Sequence, residues 1–133
     1  MKIKQNKIEL RISKLPHTWI IDFDGTIFIH NEYKKDKQDK VCNSNVQKFF
    51  DQLSLDDFII FTTSRGKCLS DLCEKSIRNK INLKQKYCIV YDLPQGERIL
   101  INDTKPKGLL TSLAIPINRD EFPEIKIILD PNL

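Results

Sequence analysis

The four cysteines, Cys42, Cys68, Cys73 and Cys88, form no CxxC pair, and the two histidines, His17 and His30, are isolated. That spacing excludes a zinc knuckle and a dithiol redox motif. It leaves four reduced thiols, mostly packing residues, in a reducing compartment. No apolar run approaches the ~20 residues of a membrane-spanning helix. The opening segment "MKIKQNKIELRISK" lacks the apolar core of a signal peptide. These absences lead to the expectation of a cytoplasmic protein with no membrane partner. There is no repeat, no low-complexity tract and no basic stripe with interleaved aromatics. The net charge of +4 is dispersed among acids, as in "NEYKKDKQDK". Such a run reads as solvated surface, and no nucleic-acid partner is expected.

What is present is an ordinary globular composition, 40% hydrophobic and 30% charged over 133 residues. That length predicts one domain over 1–133, with a real core and little room for a second lobe. Residues 19 to 23, Trp-Ile-Ile-Asp-Phe, read as a buried strand. Val46, Phe49, Phe50 and Leu53 predict an amphipathic helix over about 44–54, capped by Asn43 or Ser44. "DDFIIFTT" is the next strand. Leu69, Leu72, Cys73 and Ile77 share one face of a helix over about 67–80. "YCIVYDL" and "RILIND" are expected strands, "SLAIPI" a fifth, and "KIIL" a sixth or an extended tail. Strands alternating with helices argue for an α/β domain with a mainly parallel sheet.

Ligands of such sheets bind beyond the carboxyl ends of the strands. After the first strand come Asp22, Asp24 and Thr26; after the second, Thr62, Thr63, Ser64 and Arg65; after the fourth, Asn102, Asp103 and Lys105. Residues two apart on a strand share a side, so Asp22 and Asp24 can converge while Phe23 packs. Gly25 lets the chain swing away after the pair. Carboxylates that converge repel one another, and a hard divalent cation relieves this; Mg²⁺ takes one or two carboxylates together with substrate phosphate.

With "IIDFDGTI", "IIFTTSR" and "ILINDTKP" in this order, residues 18 to 118 resemble the haloacid dehalogenase (HAD) superfamily of phosphohydrolases. The resemblance implies a HAD-like Rossmannoid three-layer sandwich. It implies a Mg²⁺-dependent phosphomonoester hydrolase that passes through an aspartyl-phosphate. Asp22 would be the nucleophile and Asp24 the general acid and then base. Mg²⁺ would bind Asp22, Asp103 and the backbone carbonyl of Asp24, and Thr63 would hydrogen-bond a phosphoryl oxygen. Lys105 is the choice for the family's lysine, with Lys107, Lys86 and Arg98 as alternatives. Arg65, Thr26 and Asn102 are candidates for substrate or phosphate binding, Thr26 with a turn-shaping role as its alternative.

The five residues "LPQGE" between the third and fourth expected strands are too few for a parallel crossover. Either "YCIVYD" is not the usual third strand, or part of the sheet is antiparallel. Only Phe28 to Asn43 is long enough for a flap, so no cap domain is expected. Capless members of the family imply either a macromolecular substrate or closure by a second copy, and a homo-oligomer is expected. The stretch "GERILINDTKPKGLLTSLAIPINRDE" resembles small phosphatases of capsule or lipopolysaccharide synthesis. It implies a sugar-like phosphate as substrate. The rival readings are a phosphatase of nucleic-acid ends or phosphoproteins, and a HAD-fold binding protein without turnover.

Overall fold

In the computed structural model, residues 7–133 are described, and residues 1–6, part of the segment searched above for a leader, lie outside them. Five strands and three α-helices follow in the order β1 (Lys7–Ile12), β2 (Thr18–Asp22), α1 (Glu32–Asp36), α2 (Asn45–Asp51), β3 (Phe58–Thr62), α3 (Ser70–Lys80), β4 (Lys86–Val90) and β5 (Glu124–Leu129). Strands β2, β3 and β4 form one parallel sheet in that order, and β1 pairs with β5 in a second, also parallel. The architecture is therefore α/β with parallel sheets, and no described helix is long and apolar enough to cross a membrane.

Pairing in register sets the polarity of the sheet. Thr18, Phe58 and Lys86 lie abreast at one end, and Asp22, Thr62 and Val90 at the other. Four residue steps separate the two ends, roughly 13 Å. Asp57 fastens the first end: its carboxylate accepts the His17 amide at 2.8 Å and the Trp19 indole N–H at 3.0 Å. Strand β4 runs parallel to β3, so it is a regular third strand.

One sheet face is dry. Ile59 and Phe61 are fully buried, and Phe61 meets Phe23, Phe50 and Tyr87 edge-on or tilted. Val46, Phe49 and Phe50 of α2, and Cys73 and Ile77 of α3, close over that face, and Ile125 of β5 joins the same cluster. Helix α2 begins as its sequence suggests, with the Asn43 side chain accepting the Asn45 amide at 3.0 Å. It stops earlier than expected because Gln52 turns to β5. There it donates to the Ile125 carbonyl at 2.6 Å and accepts the Ile127 amide at 2.9 Å. The other sheet face is open: Ile20, Phe58 and Val90 are 49%, 36% and 38% exposed, and Cys88 is exposed. The second helical layer of the expected three-layer sandwich is therefore missing among the described residues.

One strand is additional to those expected, and two expectations about strands need correction. "KIELRI" is a strand, β1, with Ile8, Leu10 and Ile12 turned inward. "RILIND" is not one: Ile99 and Ile101 are 82% and 92% exposed. The local turn chemistry prevails there. Pro106 occupies the second position of a turn closed by Gly108 N–H to Lys105 O at 2.8 Å, and Gly108 takes φ 97°. The Lys105 amide then reaches the Leu109 carbonyl at 2.9 Å, the pattern of a hairpin with a glycine bulge. Asn102 to Thr111 thus form a hairpin-like arm. "SLAIPI" is irregular as well, interrupted by Pro116. Without a strand at "RILIND", the short "LPQGE" connection poses no crossover problem.

Ile59→Ala should cost about 2–5 kcal/mol of stability, whereas Ile101→Ala should stay within about 0.5 kcal/mol of the parent. Urea unfolding of both variants checks this. A loss above about 2 kcal/mol for Ile101→Ala would return that residue to a packed sheet.

Candidate active site

The chain leaves β2 through a tight loop. Phe23 continues the pairing, its amide bonding to the Thr62 carbonyl at 2.9 Å, and its ring is fully buried against Phe28 at 4.7 Å. Gly25 adopts φ 80°, where a side chain would be strained and would also meet Arg119 at 3.2 Å. Its amide bonds to Phe28 O at 2.7 Å, and its carbonyl accepts the Asp120 amide at 2.7 Å. The loop brings Asp24 near enough to Asp22 for their charges to repel.

The two carboxylates have different surroundings. The Asp22 side chain is 43% exposed. Its Oδ2 accepts the Thr26 hydroxyl at 3.2 Å, and its Oδ1 lies 3.9 Å from the Arg98 guanidinium. Burial pushes the Asp22 pKa up; the Thr26 hydrogen bond and Arg98 pull it down, and Asp24 adds a smaller upward push. Arg98 is itself 39% exposed, so this pairing is weak in water. Its orientation comes from its own loop, through bonds to Pro94 O at 2.6 Å and Gly96 O at 3.1 Å.

Asp24, by contrast, is clamped. Arg65 donates from Nη2 to its Oδ1 at 2.6 Å and from Nε to its two oxygens at 3.2 and 3.1 Å. The Thr63 hydroxyl adds a bond to Oδ2 at 3.2 Å and accepts the Arg65 amide at 3.0 Å. Arg65 is not a surface cation waiting for substrate: its side chain is 2% exposed. The other edge of its guanidinium grips Asp39, with Nη2 to Oδ1 at 2.6 Å and Nη1 to Oδ2 at 3.1 Å. Tyr33 stacks over it at 3.7 Å from the ring centre, and Phe23 lies 4.9 Å away. Burial would lower the Arg65 pKa, but Asp39 and Asp24 outweigh it and hold it above its ordinary value.

Sequence reasoning missed Asp39, Tyr33 and Ser76. Asp39 lies inside the charged run taken for solvated surface, yet its side chain is fully buried. Ser76 of α3 donates its hydroxyl to Asp39 Oδ2 at 2.5 Å. The flap from Phe28 to Asn43 is thus fastened to β2, β3 and α3. Asp120 secures it again by accepting the His30 amide at 2.8 Å.

Asp22, Asp24, Thr26, Thr63 and Arg65 therefore come together at one strand end. Asn102, Asp103 and Lys105 do not: all three are exposed on the arm, where Asn102 bonds to Thr111 O at 3.0 Å and Asp103 O accepts the Thr111 hydroxyl. Among the described residues no three His, Cys, Asp or Glu side chains are grouped as metal ligands. Of the alternative cations, Lys86 starts β4 at the opposite end of the sheet, and Arg98 is the one that pairs with Asp22. The thiols stand apart from this constellation except Cys73, whose sulfur accepts Arg65 Nη1 at 3.6 Å and whose pKa is raised by burial.

Because the folded pKa of Asp22 lies above its ordinary value of 3.8, the folded state holds more protons between the two values. Stability then falls as pH rises through that window. Asp22→Asn should accordingly raise Tm at pH 7 in metal-free buffer, with the gain shrinking toward zero near about pH 3.5. Calorimetry at both pH values checks this, and an equal difference at each would remove burial of the carboxylate as the cause.

Comparison of the chain with family models, with curated proteins and with solved structures gives no match. The chemistry open to this site follows from its own side chains.

Proposed function

We propose that the protein is a HAD-type phosphomonoesterase acting through an aspartyl-phosphate. The observation that carries this reading is the pairing of a half-exposed Asp22 with a clamped Asp24 two residues on, at the carboxyl end of a parallel strand. Thr26 holds one Asp22 oxygen and leaves Oδ1 open on the side of Arg98. That oxygen would attack phosphorus, forming the Asp22 acyl phosphate as the bond to the leaving alcohol breaks. Asp24 would give its proton to the leaving oxygen. It would then take one from the water that attacks phosphorus and returns Asp22 free with inorganic phosphate. Arg98 would offset the phosphoryl charge, the part first given to Lys105. The Thr63 hydroxyl, buried and bonded to Asp24, would orient the acid rather than touch phosphate.

The donor set suits Mg²⁺ only in its phosphate-assisted form. Asp22 offers a carboxylate with open surface, while the Asp24 carboxylate is taken by Arg65 and Thr63, leaving its backbone carbonyl. One or two protein oxygens with substrate phosphate and water are a common Mg²⁺ shell. When bound, the ion would reduce the repulsion between nucleophile and phosphate. The substrate class is a small phosphorylated metabolite, and the resemblance favours a sugar-like phosphate of surface polysaccharide synthesis. Homo-oligomerisation belongs to the same proposal, supported by the exposed apolar face of Ile20, Phe58 and Val90. The rival reading, a HAD-fold binding protein without turnover, is favoured by the clamp on Asp24 and by the position of Asp103 on the arm.

Turnover separates the two. Phosphate release from a panel of phosphorylated metabolites should require Mg²⁺, stop with chelator, and fall more than about a thousandfold in Asp22→Asn, the scale of losing a nucleophile. A parent without turnover on any member would favour the binding protein.

Arg98→Met should lower kcat/KM about tenfold, or ~1.4 kcal/mol, while Lys105→Met should change it less than about twofold. Steady-state kinetics of the two variants decide which cation faces the phosphoryl group, and the reverse order would return that part to Lys105.

A further inference from the structure

Resting on the proposed acid role of Asp24, we infer that Asp39 is a positioning residue that anchors Arg65 so that Asp24 can turn from the guanidinium to the substrate. The clamp presents a problem for any proton transfer. A carboxylate has about four lone-pair sites. On Asp24 three donors, the Arg65 Nε and Nη2 and the Thr63 hydroxyl, already engage both oxygens, the Nε–H being shared between them. Asp24 serves the leaving group only if it gives up part of this grip. A buried guanidinium left with one carboxylate would hold that carboxylate strongly, since removing either partner strands a desolvated charge.

Asp39 changes that balance. It takes the far edge of the same guanidinium in a two-point contact, 2.6 and 3.1 Å, and it is fully buried, so it does not exchange Arg65 for water. Ser76 fixes Asp39 from α3, and Tyr33 covers the guanidinium plane. With this second partner in place, Arg65 keeps its position and its compensation while Asp24 moves. The arrangement also links the flap to the acid: Tyr33 and Asp39 both lie between Phe28 and Asn43, so displacing the flap displaces the anchor of Arg65. The asymmetry in exposure agrees with this division, since the Asp24 side chain is 20% exposed and Asp39 is not exposed at all. The carboxylate nearer solvent is the one free to reach a ligand.

The test compares leaving groups in Asp39→Asn, which keeps the shape and removes the charge. Single-turnover phosphorylation by an alkyl phosphate, which needs the acid, should slow at least about tenfold, and by p-nitrophenyl phosphate less than about threefold. Ser76→Ala, which removes only the hydroxyl on Asp39, should show the same ordering with smaller losses and guards against a misfolded Asp39 variant. In an Asp24→Asn background, Asp39→Asn should add no further leaving-group dependence. Equal losses for both substrates, or parent rates for both, would overturn the inference. Hydrogen exchange of the Arg65 Nη1 hydrogens, which face Asp39, read by NMR, needs no turnover. It should accelerate at least about tenfold in Asp39→Asn while core amides stay protected, and unchanged exchange would overturn the anchoring role. A parent inactive on both substrates would overturn the phosphatase reading instead, with the exchange measurement still deciding the anchor.

Discussion

One guanidinium, that of Arg65, joins everything that matters at this strand end. It contacts Asp24 from the loop after β2, Asp39 and Tyr33 from the flap, and Cys73 from α3, and its own backbone accepts the Asp92 amide after β4 at 2.9 Å. Taking an arginine out of water is expensive, and a single carboxylate does not reliably compensate for it. Two carboxylates, with two aromatic rings nearby, do so here, because the planar fork presents two edges and two faces at once. Apolar packing alone would hold these elements together without fixing them to within tenths of an ångström. The ion pairs add direction to a contact that would otherwise only be dry.

The same end of the sheet carries an unfavourable element. Asp22 is partly buried beside a second carboxylate, and its pKa is raised in consequence. Its compensation is modest: one hydroxyl, the Phe23 backbone amide, and one half-exposed arginine at 3.9 Å. Groups left under-compensated in a cleft are characteristic of sites that bind or react. The contrast with Arg65 is instructive, because full satisfaction of one charge lies next to incomplete satisfaction of its neighbour.

Much of this was legible in the sequence where local pattern and tertiary environment agree. Strands β2, β3 and β4 are apolar runs with polar ends, and α2 and α3 carry apolar residues at helical spacing. Strand β1 is less legible although "KIELRI" alternates cleanly, because its partner β5 lies at the far end of the chain. "RILIND" was over-read: an apolar run with strand propensity is not a strand when no neighbour pairs with it and a Pro-Lys-Gly turn folds it back. Asp39 was illegible for a different reason. Nothing in "KKDKQDK" distinguishes the one acid that is buried, and its partner lies 26 residues away on another element. Burial of a charge is decided by what the fold brings opposite it, and composition does not carry that information.

Three aspartates near the ends of one sheet show how environment, not residue type, assigns a task. Asp57 sits at the amino end, buried, accepting two neutral N–H groups from β2 and the residue before it. Such a carboxylate fixes a strand. Asp39 is equally buried but faces a cation, so it stabilises a charge rather than a backbone. Asp22 alone has an oxygen that meets only a weak, exposed partner, on a side chain nearly half open to solvent. A reacting phosphorus needs an oxygen that is accessible yet incompletely satisfied. By that criterion Asp22 is the one of the three whose surroundings suit the nucleophile role proposed for it, and Asp24, tied to Arg65 but 20% exposed, suits the second role proposed for it. The order of roles that the resemblance implies, and that we propose, thus agrees with how each carboxylate is solvated.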